Sequence, residues 1–157
     1  MRYFLDTEFN GFGGALISLG LVPEFGDEEF YVSLPLPAEE EMHPWAAQHV
    51  IPYLRFVPPA VDYELTREHA SRHLEAYLAA DPEPMIVADW PDDLAHFCQL
   101  LLTGPGLMIE LNGLHLELLN MPGFSASATS KVPHNALHDA RALKEFCLGE
   151  TAIRPLS

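Results

Sequence analysis

Asp6 and Glu8 stand two residues apart at the end of the short apolar run Arg2-Tyr3-Phe4-Leu5. In an extended strand, side chains two apart project from one side, so these carboxylates point together while Thr7 points the other way. Left alone they would repel, and one would be driven toward protonation; a cation between them relieves both effects. Another carboxylate, Asp139, lies in the segment His134-Asn135-Ala136-Leu137-His138-Asp139-Ala140-Arg141, in the first turn of a predicted helix. Asp139 shares an edge of that helix with Leu143 and Phe146, which turns it back toward a sheet. His134 follows Pro133, lies outside the helix and can swing over the same cleft, whereas His138 precedes Ala142 on the flank and is expected to face solvent. Hard oxygen ligands suit a hard divalent cation, and cations held in an acidic cleft can carry the attraction for a phosphate.

Three further acids compete for a place beside these. Asp93 lies one turn before Phe97 on the edge of a helical apolar face, Asp92 lies one turn before His96 on a more polar side and suits the N-cap, and Asp89 ends a strand. Helical phase favours Asp93, with Asp89 second because ligands collect at the carboxyl edge of open α/β sheets. The turn Asn10-Gly11-Phe12-Gly13-Gly14 would let a substrate approach the backbone, with Phe9 or Phe12 offering a face to a base; a plain β-turn explains it about as well. Lys131, one of two lysines, stands just before His134, where it either steadies a substrate phosphate or is simply exposed.

The elements that must hold these groups follow from periodicity. Strands are expected over Arg2–Phe9, Ala15–Val22 and Glu29–Leu34, close enough in sequence to form an antiparallel meander. Pro44 at a first helical position predicts a short helix to Val50, with Trp45, Ala46 and His49 or Val50 facing inward. His43 and His49 have no ligand partner at helical spacing and read as core or surface residues. Thr66 caps a helix to Ala79 through Ala70, Leu74, Tyr77 and Leu78. Met85-Ile86-Val87-Ala88 has the continuous apolar character of a buried parallel strand. The helix after it places Leu94, Phe97, Cys98, Leu101 and Leu102 on one face, ended by Thr103-Gly104-Pro105-Gly106. Leu107–Leu111 is expected as a fifth strand, with Asn112-Gly113 turning either into a hairpin partner at His115–Leu118 or into a helical turn. Met121–Pro133 reads as a mobile loop. The last helix starts near Asn135 or Ala136, buries Leu137, Ala140, Leu143 and Cys147, and stops at Gly149.

A chain of 157 residues, 48% hydrophobic, is the size of one domain and can bury a core without disulfides. Its net charge of −15, from 23 acidic and 8 basic side chains, argues against grip on duplex nucleic acid through a broad basic face. Cys98 and Cys147 occupy apolar helical positions without metal-ligand spacing, as buried thiols do in a reducing compartment. No run approaches the roughly 18 apolar residues of a membrane span, and acid arrives too early for a signal peptide. A cytoplasmic protein with no membrane partner is expected.

Asp6-x-Glu8 on a first strand, an aspartate opening a mid-chain helix, and His134-x4-Asp139 near the carboxyl end together resemble the three motifs of the DEDDh exonucleases, in order and across nearly the whole chain. Leu5-Asp6-Thr7-Glu8-Phe9-Asn10-Gly11, with Pro44-Trp45 and Val50-Ile51-Pro52, looks more narrowly like the small bacterial RNase T-like exoribonucleases. The resemblance implies one ribonuclease H-like α/β domain over residues 1–157, a five-stranded mixed sheet of three antiparallel and two parallel strands flanked by helices. It implies that Asp6, Glu8, Asp93 and Asp139 hold two Mg2+ or Mn2+ ions and that His134 is a general base. Family members commonly carry an aromatic or glycine ahead of the middle aspartate, where this chain has Asp92, so the third acid stays open between Asp93 and its neighbours. The expected activity is 3′-5′ hydrolysis of single-stranded RNA ends to nucleoside 5′-monophosphates, with Phe9, Asn10, Gly11, Phe12 and Lys131 toward the substrate, rising through about pH 6 to 8 as His134 becomes neutral. A homodimer is plausible by the same likeness. The alternatives are the same chemistry on DNA and a ribonuclease H-like binding module without catalysis.

Overall fold

In the computed structural model, which describes residues 1–153, both halves of the protein assemble around the strand that carries Asp6 and Glu8. In chain order the strands are β1 (Arg2–Phe9), β2 (Leu16–Pro23), β3 (Phe30–Ser33), β4 (Tyr63–Glu64), β5 (Met85–Ala88), β6 (Leu102–Gly104), β7 (Leu107–Met108) and β8 (His115–Leu118). The helices are α1 (Pro44–His49), α2 (Arg67–Leu78), α3 (Pro91–Leu101), α4 (Ala126–Thr129) and α5 (Ala136–Ile153). One mixed sheet runs β4-β3-β2-β1-β5-β8. The meander β1-β2-β3 is antiparallel, and β5 and β8 lie parallel to their neighbours.

Alternation along β1 separates two cores. Tyr3 and Leu5 face a cluster with Leu74 and Leu78 of α2 and Phe97 and Leu100 of α3. Phe4 faces the opposite layer, against Leu143 and Cys147 of α5, while Ala136, Leu137 and Ala140 of α5 pack on Ile17 and Tyr31. Thr7 therefore continues the α3 side, and Asp6 and Glu8 the α5 side. Each fully buried Leu or Phe contributes about 1.5–3 kcal/mol, and these two layers offset the cost of gathering acids at the strand's end.

Helix α5 is set down at one glycine. A Cβ on Gly20 would meet the Ala136 carbonyl oxygen at 2.7 Å and the Leu137 Cα at 2.8 Å. Gly20 is also the β2 partner of Asp6, so the closest approach of helix to sheet lies beside the acid pair. We expect Gly20→Ala to cost about 1–3 kcal/mol by overpacking, read from urea denaturation, and to withdraw Asp139 from Asp6; a variant as stable as the wild type would refute that close approach.

Several expectations change. The sheet has six strands, not five: Tyr63–Glu64 adds an edge parallel to β3, held by Arg55, which pairs with Asp62 and Glu64 and donates to Ser33 Oγ at 2.9 Å. Leu107–Leu111 is not the fifth strand of that sheet; Leu107–Met108 pairs with Leu102–Gly104 as a separate ribbon. The place beside β5 is taken by His115–Leu118, parallel to it. Asn112-Gly113 makes no hairpin, because the Asn112 amide donates to the carbonyls of Ala79 and Asp81 and ties the connection to the end of α2. Leu102 belongs to the ribbon rather than the helix face and is 49% exposed. The segment expected as a loop contains the one-turn α4. Gly149 does not stop α5, which runs on to Ile153; a helical glycine costs only about 1 kcal/mol. No disulfide joins Cys98, half-buried, to Cys147, buried. Among the described residues no helix is long and apolar enough to cross a membrane.

Candidate metal centre

Where β1 ends, the starts of α3 and α5 converge on it from opposite faces. The cavity between them, about 700 Å3, is lined by Asp6, Glu8, Asp93, His134 and Asp139, with Asp89, Asp92 and Thr7 in its walls. Phe9, Gly11, Phe12, His43 and Trp45 form one rim and Phe124 to Ser127 another. A second cavity of about 430 Å3, at the far end of β1 between Tyr3, Phe25 and Tyr77, has no histidine, and its Asp81 is engaged by the Tyr3 hydroxyl and the Met1 ammonium.

Asn135 sets the position of Asp139. Its side-chain oxygen accepts from the backbone N–H groups of Leu137 and His138 at 3.1 and 3.3 Å, capping α5, and its amide donates to the Tyr53 carbonyl at 2.9 Å. Just before it, His134 has φ 63°, a left-handed backbone that histidine tolerates better than most residues. That turn aims the His134 N–H at Asp139 Oδ2, 3.2 Å away, and returns the imidazole to the cavity. One ligand atom each from Glu8, His134 and Asp139 lies within 4.8 Å of the others.

Asp93 arrives from the other face. It is 3% exposed, and its Oδ1 accepts from both the Thr7 hydroxyl at 2.7 Å and the Thr7 N–H at 3.1 Å. Asp92, one residue earlier, is outside this arrangement: its carboxylate accepts from the Trp90 indole at 3.1 Å, and Trp90, not Asp92, is the N-cap of α3. Asp89 is half-buried, and burial raises its carboxyl above the usual range.

These acids are poorly solvated and uncompensated. Burial, then the charges of Asp93, Glu8, Asp139 and Asp89, hold Asp6 well above its ordinary value. Glu8 is held high by burial and by Asp139 and Asp93. Burial pushes Asp93 up to about 7 against the Thr7 hydrogen bonds, and Asp139 up to about 6. The Ser130 hydroxyl favours ionised Asp139 but stands outside hydrogen-bond geometry, so Asp139 Oδ1 is buried with no partner, as is Asp6 Oδ2. An unpaired buried carboxylate oxygen is among the costliest groups a fold can hold. Two of them beside Glu8, in a set of hard oxygen donors, fit one or more divalent cations. The His134 ring is kept below its ordinary pKa by burial and by His49, which favours the neutral form.

The other residues singled out from the sequence divide between the rim of this cavity, where Phe9, Gly11, Phe12, His43 and Trp45 lie, and places outside it. Asn10 does not line the cavity; its oxygen accepts from the His43 N–H at 2.7 Å and its amide donates to the Glu41 carbonyl at 2.9 Å, so it pins the segment before α1. Gly11, with φ 75°, leaves room for the His43 ring, which a Cβ would meet at 2.7 Å. Phe12 is 99% exposed, and Phe9 stacks against His96 with ring centres 4.8 Å apart. Lys131 lines neighbouring cavities, not this one. His138 is half-buried, with Nε2 2.7 Å from the Phe56 carbonyl, rather than facing solvent. Trp45 does not face inward; it is 44% exposed and packs edge-on to His134 at 4.9 Å and beside His49 at 5.0 Å. His43 accepts from the Trp45 N–H and so caps α1. Neither Trp45 nor Thr7 stood out as a site residue in the sequence, since one reads as core and the other as the outward member of Asp-Thr-Glu. Compared with known proteins, the chain matches no family model and no curated protein, and the functional reading rests on its own residues and geometry.

Proposed function

We propose that this chain is a metal-dependent 3′-5′ exoribonuclease of the DEDDh type on a ribonuclease H-like fold, acting on single-stranded RNA ends. The observation that carries the reading is the pair of buried, partnerless oxygens, Asp6 Oδ2 and Asp139 Oδ1, next to Glu8, Asp93 and a histidine. The order of motifs along the chain, the mixed sheet and the position of the centre at the carboxyl end of β1 support it as well. Asp6, Glu8, Asp93 and Asp139 would hold two Mg2+ or Mn2+ ions, which when bound supply Lewis acidity at the scissile phosphate and charge to stabilise the attacking and leaving oxygens.

The remaining work falls to the chain's own groups. His134, neutral at physiological pH, takes a proton from the attacking water on an imidazole nitrogen, and its backbone N–H, bound to Asp139, fixes where the ring starts. Thr7 holds Asp93 by two hydrogen bonds, so that acid keeps one orientation. Phe12 and Trp45 present exposed aromatic faces at the rim, suited to stacking a terminal base. Hydrolysis releases a nucleoside 5′-monophosphate and leaves a new 3′ hydroxyl.

The test is a 3′-tailed RNA with Mn2+, run with wild type, Asp139→Ala and His134→Ala. Wild type should shorten the tail, Asp139→Ala should be inactive, and His134→Ala should lose about a hundredfold or more. Equal activity, or equal inactivity, of wild type and Asp139→Ala would count against the reading. A matched DNA strand separates RNA from DNA preference, and Mn2+ binding by calorimetry without hydrolysis of either strand would favour a binding module.

A further inference from the structure

His134 is a shared wall. Behind it, away from the carboxylates, lies a separate cavity of about 370 Å3 lined by His49, Tyr53, Phe56, Lys131, Val132 and Pro133. The two cavities meet at the histidine cluster, where Trp45, His49 and His134 touch ring to ring. Tyr53 and Phe56 form an edge-on pair with centres 5.7 Å apart, yet they are 41% and 58% exposed. Their faces are presented to solvent rather than used in the core.

The charge beside them is equally uncommitted. Arg2, Arg55, Arg72 and Arg141 are paired with carboxylates, and Arg67 and Lys144 donate to backbone carbonyls. Among the described residues Lys131 is the one lysine or arginine side chain with no ion pair or hydrogen bond in the structure. A chain of net charge −15 offers a polyanion little general attraction, so a lone free ammonium beside two open aromatic faces fits one phosphate and one base.

We propose that this second cavity holds the nucleotide on the 5′ side of the scissile bond, its base on Tyr53 or Phe56 and its phosphate at Lys131. The inference rests on the nuclease reading above and adds to it a short footprint, the terminal nucleotide and one upstream neighbour, with a single cationic contact. Binding should then depend weakly on salt, because one neutralised phosphate on a single strand gives a slope of only about −0.7 in log K against log salt. Stacking of one base on an aromatic side chain is worth about 1–3 kcal/mol, or roughly five- to hundredfold.

Two substrates separate the possibilities. An RNA trinucleotide fills both cavities, whereas a nucleoside 5′-monophosphate p-nitrophenyl ester offers the same scissile phosphate with no upstream nucleotide. For Lys131→Ala and Phe56→Ala, kcat/KM on the trinucleotide should fall about fivefold or more further than on the ester, and the salt slope should shrink in Lys131→Ala. Equal losses on both substrates, or no loss on either, would overturn the upstream site while leaving the nuclease standing. Wild type inactive on both substrates would sink the nuclease reading and this site with it.

Discussion

Asp6→Asn is expected to stop hydrolysis and, stripped of metal, to melt at a higher temperature than the wild type. The two effects have one origin. Asp6 Oδ2 is sealed from solvent without a partner, and its carboxyl is held high by burial and by Asp93, Glu8, Asp139 and Asp89. An amide of the same shape removes that repulsion and can donate to a neighbouring carboxylate. Replacing a carboxyl that burial and like charges force to keep its proton with a neutral amide removes a cost of about 1 kcal/mol or more at neutral pH, a few degrees in Tm for a chain of this length. On the proposed chemistry the same change also deletes a cation ligand and lowers the rate by on the order of a thousandfold. Calorimetry in EDTA and again with Mn2+ reads both sides: the variant should melt higher without metal and gain less on adding it. A variant less stable than wild type in EDTA would show that Asp6 serves packing rather than cations.

That opposition between stability and function explains which parts of the molecule could be read from the sequence. The helices α2, α3 and α5 announce themselves by apolar residues at helical period, and the meander strands by short apolar runs that in β2 and β3 are buried at every position. The same phase argument put Asp93 rather than Asp92 on the buried side of α3, and Asp93 lies there, bonded to Thr7. Asp6, Glu8 and Asp139 stand out because acids at those phases violate the pattern around them.

The unread parts have long-range causes. His115–Leu118 alternates polar and apolar residues and could be read as a strand, but local spacing offers Leu107–Leu111 as its hairpin partner, whereas β8 pairs in parallel with β5 across an intervening helix. β4 is two residues long and owes its place to Arg55. Asn112-Gly113 has the composition of a tight hairpin, but its amide is spent on the end of α2. Asn10 reads as a turn residue near the acids, yet both ends of its amide reach Glu41 and His43. Trp45 has the helical phase of a core residue; the left-handed turn at His134 brings the imidazole over its ring, an arrangement no local spacing encodes.

Without metal, the protein should lose stability as pH rises from about 4 to about 7, opposite to the usual behaviour of carboxylates paired in a native fold. An unfolded aspartate titrates near 3.9, whereas folded Asp139 lies at about 6 and Asp93 at about 7, with Asp6 and Glu8 well above their ordinary values. Between those limits the folded state keeps protons that the unfolded state has released. Unfolding free energy therefore falls with pH: the contribution is full below about pH 4 and lost as pH passes through the folded values. Because Asp93 is 3% exposed, little of the effect is screened, and a shift of this size amounts to a few kcal/mol on the order of 1.4 per unit. Bound cations reverse the sign, since they need the ionised carboxylates and displace the protons. Tm in EDTA should thus decline from pH 5 to pH 8, Tm in Mn2+ should not, and the gap should widen steadily. Asp93→Asn should flatten the EDTA curve. Mn2+ calorimetry in two buffers of different ionisation enthalpy should find protons released at pH 6 and fewer at pH 8. Curves with and without Mn2+ that run parallel would mean the ion binds away from these acids.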